Sequence, residues 1–521
     1  MDPAARVPFR SPLAAGLLLL PVWVGWSWFI QDDAFITFRY ARNLAEGHGL
    51  VWEPGSDEYG FTSFLYTLLM GGMFALGLPE RLGSALLTVA GYVGLLAGVA
   101  VLVRDRLGDR AGEAPLAAVL AVGLHYTVAA YASAGMETSL ATAFVVGTWA
   151  AGLHRPEPSW RTGTLAGVLA AAALLTRLGT AVVLLPLYLH LTVVAVRARR
   201  PAGLLLATAI PTATVLALLA WAQATYGQPL PTSFYAKTSS GWVVPQGLGY
   251  LAAYLLAEWV GLLMVGGLLA RLRGAPVTDL LLLAPAATKL LWVLYIGGDF
   301  MEFRFLVTVI AFVYAWLAIQ LGRRGDVLGV RLLATVGAVA ALWHGTLYNH
   351  LWLRLNGVET QALLSRFVDD PDTGWLRTGE VLGELFHTGS PDDVHVALTA
   401  AGAIPYASRL PTTDQLLLNS KHGLPTALPF AEQAGHRLRV SAEFLDQQGV
   451  HLLLSEIFYD CLGDELGHPD VPFELRGLAI PVSEECNLLA WYARPHPAID
   501  AALARGAIRE VPLPPPEAHA D

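Results

Sequence analysis

Asp32 and Asp33 are adjacent carboxylates placed where an apolar segment, 13 to 30, gives way to an amphipathic stretch. Two neighbouring carboxylates repel each other and resist leaving water, so beside lipid they call for a cation, a proton or a hydrogen-bonded ligand. A carboxylate in such a place can take a proton from a hydroxyl or stabilise positive charge growing on a carbon atom. The plain alternative is a solvated cap, with Asp33 favouring the first turn of a following helix.

The other residues whose types and positions could do chemistry gather near the ends of apolar runs: His48, Glu58, Glu137, Arg177, Lys237, Asp299 and Arg304. Mixed carboxylates and isolated cations suit an anionic lipid phosphate held next to a sugar, the cations neutralising a departing phosphate. Neighbours on a helix point about 100° apart, so Asp32 and Asp33 serve different jobs. Asp32 is assigned to the acceptor or anomeric centre. Asp33 is assigned to orienting it, to sugar hydroxyls or to a divalent ion such as Mg or Mn, although no His/Cys ligand spacing is present. Plainer roles exist for the rest: Asp299 pairs with Arg304, Glu137 and Arg177 are interfacial anchors, and Lys237 marks a solvated loop. Lys289 lies inside an apolar run, where an ammonium must snorkel or meet a carboxylate.

The elements that must position these residues are membrane spans. The chain has 521 residues, 55% hydrophobic and only 14% charged, with a positive mean hydropathy. It is therefore a polytopic membrane protein. Its net charge of -9 and its short, scattered basic clusters exclude a nucleic-acid binder. Read as cytoplasmic, the clusters at Arg6 and Arg10, Arg104 to Arg110, His154 to Arg161, Arg197 to Arg200, Arg271 to Arg273 and Arg323 to Arg331 all fall on one side if about eleven spans are present. These are 13 to 30, 83 to 103, 115 to 131, 138 to 153, 162 to 175, 180 to 196, 202 to 222, 250 to 270, 278 to 296, 303 to 321 and 328 to 348. The N-terminus is then cytoplasmic and the C-terminus outside.

Phe61 to Leu78 is read as a segment at or dipping into the outer surface, since its Gly71-Gly72 pair and Pro79 interrupt it. Asp33 to Glu46 reads as an amphipathic helix flat on the outer leaflet, with Arg39, Arg42, Asn43 and Glu46 open to water. Residues 1-354 thus form an all-α membrane domain with a first outer loop at 32-82. Residues 355-521, where short apolar runs alternate with polar stretches, form an α/β or α+β domain outside the cytoplasm. That location permits a disulfide between Cys461 and Cys486.

Several ordered stretches resemble one bacterial family. They are Asp32-Asp33-Ala34-Phe35-Ile36-Thr37-Phe38-Arg39-Tyr40-Ala41-Arg42-Asn43, Gly47-His48-Gly49, Glu58-Tyr59-Gly60-Phe61-Thr62, Gly135-Met136-Glu137-Thr138 and Gly297-Gly298-Asp299-Phe300-Met301. Ala401-Gly402-Ala403-Ile404-Pro405-Tyr406 and Gly435-His436-Arg437 extend the likeness more loosely. The family is the C-fold glycosyltransferases that include the mycobacterial terminal β-(1→2) arabinofuranosyltransferases. The resemblance implies a plasma-membrane enzyme that takes a sugar, arabinofuranose by preference, from a polyprenyl-phosphate donor. The acceptor is a glycan, lipid or protein of the cell envelope. It further implies that Asp32 and Asp33 are the catalytic centre and that the outer domain helps to bind carbohydrate.

The chain departs from the family at two places. Leu178-Gly179 follow Arg177 where Pro and an acid are usual, and Glu302-Phe303 precede Arg304 where Gly-Arg is usual. Two other classes compete, a transporter or flippase for polyprenyl-linked glycan and a non-catalytic glycan-binding anchor. The first calls for midplane charges and an internal repeat, and the sequence shows no repeat and, with most unusual charges at outer ends, only Lys289 leaning that way; the second leaves Asp32 and Asp33 without a purpose.

Overall fold

The computed structural model describes residues 12–154, 159–199, 202–238, 243–274, 277–347, 353, 357–390, 392–429, 436–461 and 475–513. Arg6, Arg10, Arg155, Arg200 and Gly435 lie outside the described residues. The membrane part is helical, but the expected span 13 to 30 is helical only as far as Trp26 and 115 to 131 divides into Ala114–Gly123 and Tyr126–Ala130. Among the described residues five helices are long and apolar enough to cross a bilayer: Glu80–Arg110, Leu178–Ala198, Ala202–Tyr226, Arg304–Arg323 and Val327–Thr346. A sixth is added if Val244–Ala257 and Trp259–Arg271 count as one. Leu13–Trp26, Ala114–Gly123, Thr138–Leu153 and Leu280–Ile296 are apolar but shorter. The expected run from 250 to 270 is not a continuous rod, because it bends by 81° at Glu258.

Local signals start and stop these helices. Ser159 opens Trp160–Thr176 by accepting from the Thr162 amide in a capping box, and Asp326 opens Val327–Leu342 by accepting from the Gly329 amide. Small residues let helices approach: a Cβ on Gly163 or Gly167 would run into the backbone of Ala202–Tyr226. Phe61 to Leu78 contains only the Phe64–Ala75 helix, 12 residues long and too short to cross.

The helix expected on the leaflet surface is Asp32–Ala45, closed by Gly47 at a φ of 88°. It is not half solvated. Phe35 and Phe38 are buried on one side, and Arg39 and Asn43 are buried on the other. The amphipathic pattern identified the polar side correctly but assumed water as its partner, whereas the C-terminal domain covers it. The Arg39 guanidinium donates to Trp52 O at 2.9 Å, Thr412 Oγ1 at 2.9 Å and Leu410 O at 3.0 Å. It also pairs with Glu53 at 3.3 Å. Arg42 donates to Tyr406 O at 2.7 Å and stacks on its ring.

The C-terminal region carries the strands. These are β1 (Val396–Leu398), β2 (Thr412–Asp414), β3 (Leu428–Pro429), β4 (Leu438–Arg439), β5 (Leu452–Asp460), β6 (Arg476–Pro481), β7 (Asn487–Tyr492) and β8 (Arg509–Val511). Six form one mixed sheet in the order β2-β1-β5-β7-β6-β8, and β3 pairs with β4 separately. β1 runs parallel to β2 and β5, and the remaining pairs are antiparallel. Asp460 of β5 opposes Asn487 of β7, which brings the neighbouring Cys461 and Cys486 together as a disulfide. The domain's apolar core is shared with the first outer loop, since Ile36, Tyr40, Trp52, Tyr59 and Phe61 pack in one cluster with Leu398, Leu454 and Leu488.

Candidate active site

A cavity of about 400 Å³ lies between the Asp32–Ala45 helix, the helical bundle and the C-terminal domain. Its charged lining comprises Asp33, Glu137, Arg177, Lys237, Asp299, Arg304 and Arg437. Six of the residues singled out in the sequence thus converge from five separate stretches of chain. Trp292, Tyr295, Phe234 and Phe305 supply aromatic walls, and Leu418 and Arg437 close the side nearest the C-terminal domain.

Backbone geometry explains the placement. Gly135, at a φ of 74° that strains any side chain, turns the chain tightly against Ala34 and Ile30. The Tyr66 hydroxyl donates to its carbonyl at 2.8 Å, so Glu137 emerges beside the Asp33 turn. Gly297 and Gly298, both with positive φ, let the chain reverse after Ala284–Ile296. Asp299 is thereby brought to Arg304, whose Nε donates to its Oδ2 at 2.8 Å. Arg177 sits in extended backbone between two helices and pairs with Glu137.

Lys289 lies directly behind this wall. With Arg177 and Arg304 it lines a small adjoining space that also presents Thr138, Thr142, Thr180 and Thr308. Its ammonium rests on the Trp292 ring at 4.0 Å and on Phe305 at 4.7 Å. The sequence did not single out Trp292, although a Lys and a Trp three apart on one helix share a face.

Asp33 is raised above the ordinary carboxylate range, chiefly by burial, with Arg304 and Lys237 pulling against that rise. Lys237 is lowered by burial, while the Asp33 charge opposes the shift. Cations outnumber carboxylates in the cavity and behind it, so the site favours a ligand that brings negative charge.

Asp32 points elsewhere. Its Oδ1 accepts from the Ala403 amide at 2.7 Å. Gly402 fits against it because a Cβ there would overlap Asp32 itself. Burial pushes this carboxyl up to about 7, with the Ala403 amide holding it down and the Asp33 charge adding to the rise. The expected divergence of the pair is present, one carboxylate toward the cavity and one toward the C-terminal domain.

Besides Asp32 and Lys289, two further expected residues are not brought to the cavity. His48 is exposed on the Gly47-His48-Gly49 turn, and the Glu58 carboxylate accepts from the Lys421 amide at 2.6 Å, anchoring the outer loop to the C-terminal domain. Both were grouped with the site because they stand in the same stretch as Asp33, but His48 turns to solvent and Glu58 to the C-terminal domain, while Gly60, Phe61 and Thr62 just beyond line the cavity. Among the described residues no cluster of three or more His, Cys, Asp or Glu is placed to hold a metal. The donor set does not suit a divalent ion, because the cavity carboxylates face guanidinium and ammonium groups.

No family model matches the chain. A curated relative, the terminal β-(1→2)-arabinofuranosyltransferase of Mycobacterium tuberculosis, is 27% identical over 448 residues, which is 76% of this chain and 69% of that protein. Among solved structures, ArnT from Cupriavidus metallidurans in the apo state aligns with a TM-score of 0.54 at 13% identity over 92% of this chain and 97% of its own. The same enzyme bound to undecaprenyl phosphate gives 0.52 at 14% identity over 77% and 85%. These comparisons agree with the resemblance drawn from the sequence motifs: the chain is similar to this arabinofuranosyltransferase and shares the fold of ArnT.

Proposed function

We propose that the protein transfers a sugar, arabinofuranose by preference, from a polyprenyl-phosphate donor to an acceptor of the cell envelope. The observation that carries this reading is the cavity that sets Asp33 opposite Arg177, Lys237 and Arg304. The ArnT structure in complex with undecaprenyl phosphate supports a lipid phosphate as the donor's anionic end.

The donor phosphate lies against Arg304, Lys237 and Arg177, with Lys289 adding positive potential from behind. Asp33, the carboxylate of the pair that faces the cavity, stands beside the anomeric carbon and takes the proton from the acceptor hydroxyl as its oxygen attacks that carbon. Asp32 fixes the start of that helix through the Ala403 amide. The carbon–oxygen bond to phosphate breaks, and polyprenyl phosphate leaves with the electron pair and a charge met by the cations. The acceptor approaches from the C-terminal domain, residues 355-521, outside the cytoplasm. The membrane domain, residues 1-354, crosses about eleven times with its N-terminus in the cytoplasm.

The deciding measurement offers purified protein synthetic polyprenyl-phosphate arabinofuranose, mannose and glucose, with Asp32→Asn as control. Transfer from one donor that disappears in the control is expected. Neither transfer nor hydrolysis from any donor overturns the reading and favours transport or anchoring.

A further inference from the structure

A second charged cluster lies in the helical bundle, and none of its members lines the cavity. His344 is fully buried between two carboxylates. Its Nδ1 is 2.6 Å from Glu258 Oε1 and its Nε2 is 2.7 Å from Glu302 Oε1. The second Glu302 oxygen accepts from the Gln361 amide at 2.6 Å. His125 Nε2 stands 3.8 Å from the second Glu258 oxygen. An imidazole with an acceptor on each nitrogen donates to both only when it carries a proton on each, so the arrangement selects a charged His344 held between two anions.

Three irregular pieces of backbone meet here. Glu258 occupies the 81° break between Val244–Ala257 and Trp259–Arg271. His344 sits on the π-helical turn Trp343–Leu347 that ends Val327–Leu342. Phe303, next to Glu302, has a φ of 51°, a strained left-handed conformation for a bulky residue. Such departures persist where surrounding structure enforces them, and π-turns recur at functional sites. Ionisable groups buried among spans are costly to keep, which argues for a use.

The use follows from chain position. Glu302 lies between Asp299 and Arg304, the pair that faces the cavity. The short loop therefore presents two charges to the site while its third is tied back to the bundle. The Tyr131 hydroxyl donates to the Glu302 carbonyl at 3.0 Å, and the Glu302 amide donates to Glu359 O at 3.1 Å, so the tie also reaches the C-terminal domain.

We propose that Glu258, His344 and Glu302 are positioning residues for glycosyl transfer, an intramembrane charge relay that fixes the Asp299–Arg304 loop against the donor phosphate. The inference rests on the transfer reaction proposed above. The titratable groups facing His344 are Glu258, Glu302, His125 and Tyr126, and Tyr254 and Tyr314 face Glu258 in turn. Discharging the relay frees the loop without removing a group from the cavity.

The test compares wild type, His344→Gln and Glu258→Gln as full-length protein, reading kcat and KM for the active donor across pH together with hydrogen exchange of the 297–306 backbone. Glu258→Gln keeps the shape and an acceptor for His344 while removing one charge, so it reports on function if His344→Gln fails to fold. The expected result is a kcat about 10²-fold lower in His344→Gln with smaller change in KM, a displaced pH profile in Glu258→Gln, and faster exchange in the loop in both. Unchanged kcat, pH profile and loop exchange in Glu258→Gln overturns the inference. If wild type transfers no sugar, the earlier reading falls, and loop exchange alone decides whether the relay positions the loop.

Discussion

The carboxyl of Asp32 ties the placement of its neighbour Asp33 to a pH at which it can be read. Burial pushes it up to about 7, so its charge, and with it the stronger bond from the Ala403 amide, is gained across the neutral range. Turnover is expected to rise with pH through about 7 and to level off above it, and Asp32→Asn should lose the limb together with about 10²-fold of kcat. The sign for stability is opposite. The folded carboxyl keeps its proton to about 7 while the unfolded one releases it near 3.8. This group's contribution is therefore fully present at low pH and is lost as pH rises between those values. A pH–rate profile beside thermal unfolding of the same samples checks both. Asp33, Glu137, Arg177, Lys237, Asp299 and Arg304 were legible in the sequence because an isolated charge at the end of an apolar run needs a reason to be there. Glu258 and His344 carried the same signal deeper in the apolar runs and were passed over, since neither stands in a motif.

At the scale of the element, the Asp32–Ala45 helix was legible in extent but not in surroundings. Periodicity shows which side is polar; it does not show what that side meets. Arg39 now supports the contact between the two halves of the molecule through one guanidinium and several carbonyl partners. Arg39→Ala removes this donor from the Pro405 and Leu410 carbonyls and leaves Glu53 to the Thr412 amide and hydroxyl, and should cost about 3 kcal/mol or more. Arg39→Lys should not restore the loss, because an ammonium cannot reproduce the planar fork. Thermal unfolding and limited proteolysis read the effect; unchanged melting in Arg39→Ala would show that the contact is held elsewhere. The bend at Glu258 was likewise hidden, because hydropathy runs smoothly through a break that buried polar partners satisfy.

For the whole molecule, composition changes near residue 355, but packing does not respect that line. Trp52, Tyr59 and Phe61 of the outer loop belong to the same apolar cluster as Val396 and Leu488 of the sheet. A composition profile sees only neighbours in sequence, and this core is assembled from residues hundreds of positions apart. The disulfide between Cys461 and Cys486 closes a loop with a sequence separation of 25. Loop closure of that size contributes about 3 kcal/mol. Cys461→Ser with Cys486→Ser should lower the unfolding temperature of the C-terminal region and remove its sensitivity to reductant, read by thermal scans with and without a thiol.

The bond from the Ala403 amide to Asp32 spans 371 positions of chain, and it carries a topological consequence. The chain leaves Asp32, passes through the bundle and returns to within hydrogen-bonding distance of where it started. Both ends of that excursion therefore stand at the same bilayer surface, and the number of crossings between them is even, whatever their total and whichever surface it is. A short helix such as Phe64–Ala75 can be counted as a full crossing only if one other crossing is added or struck out with it.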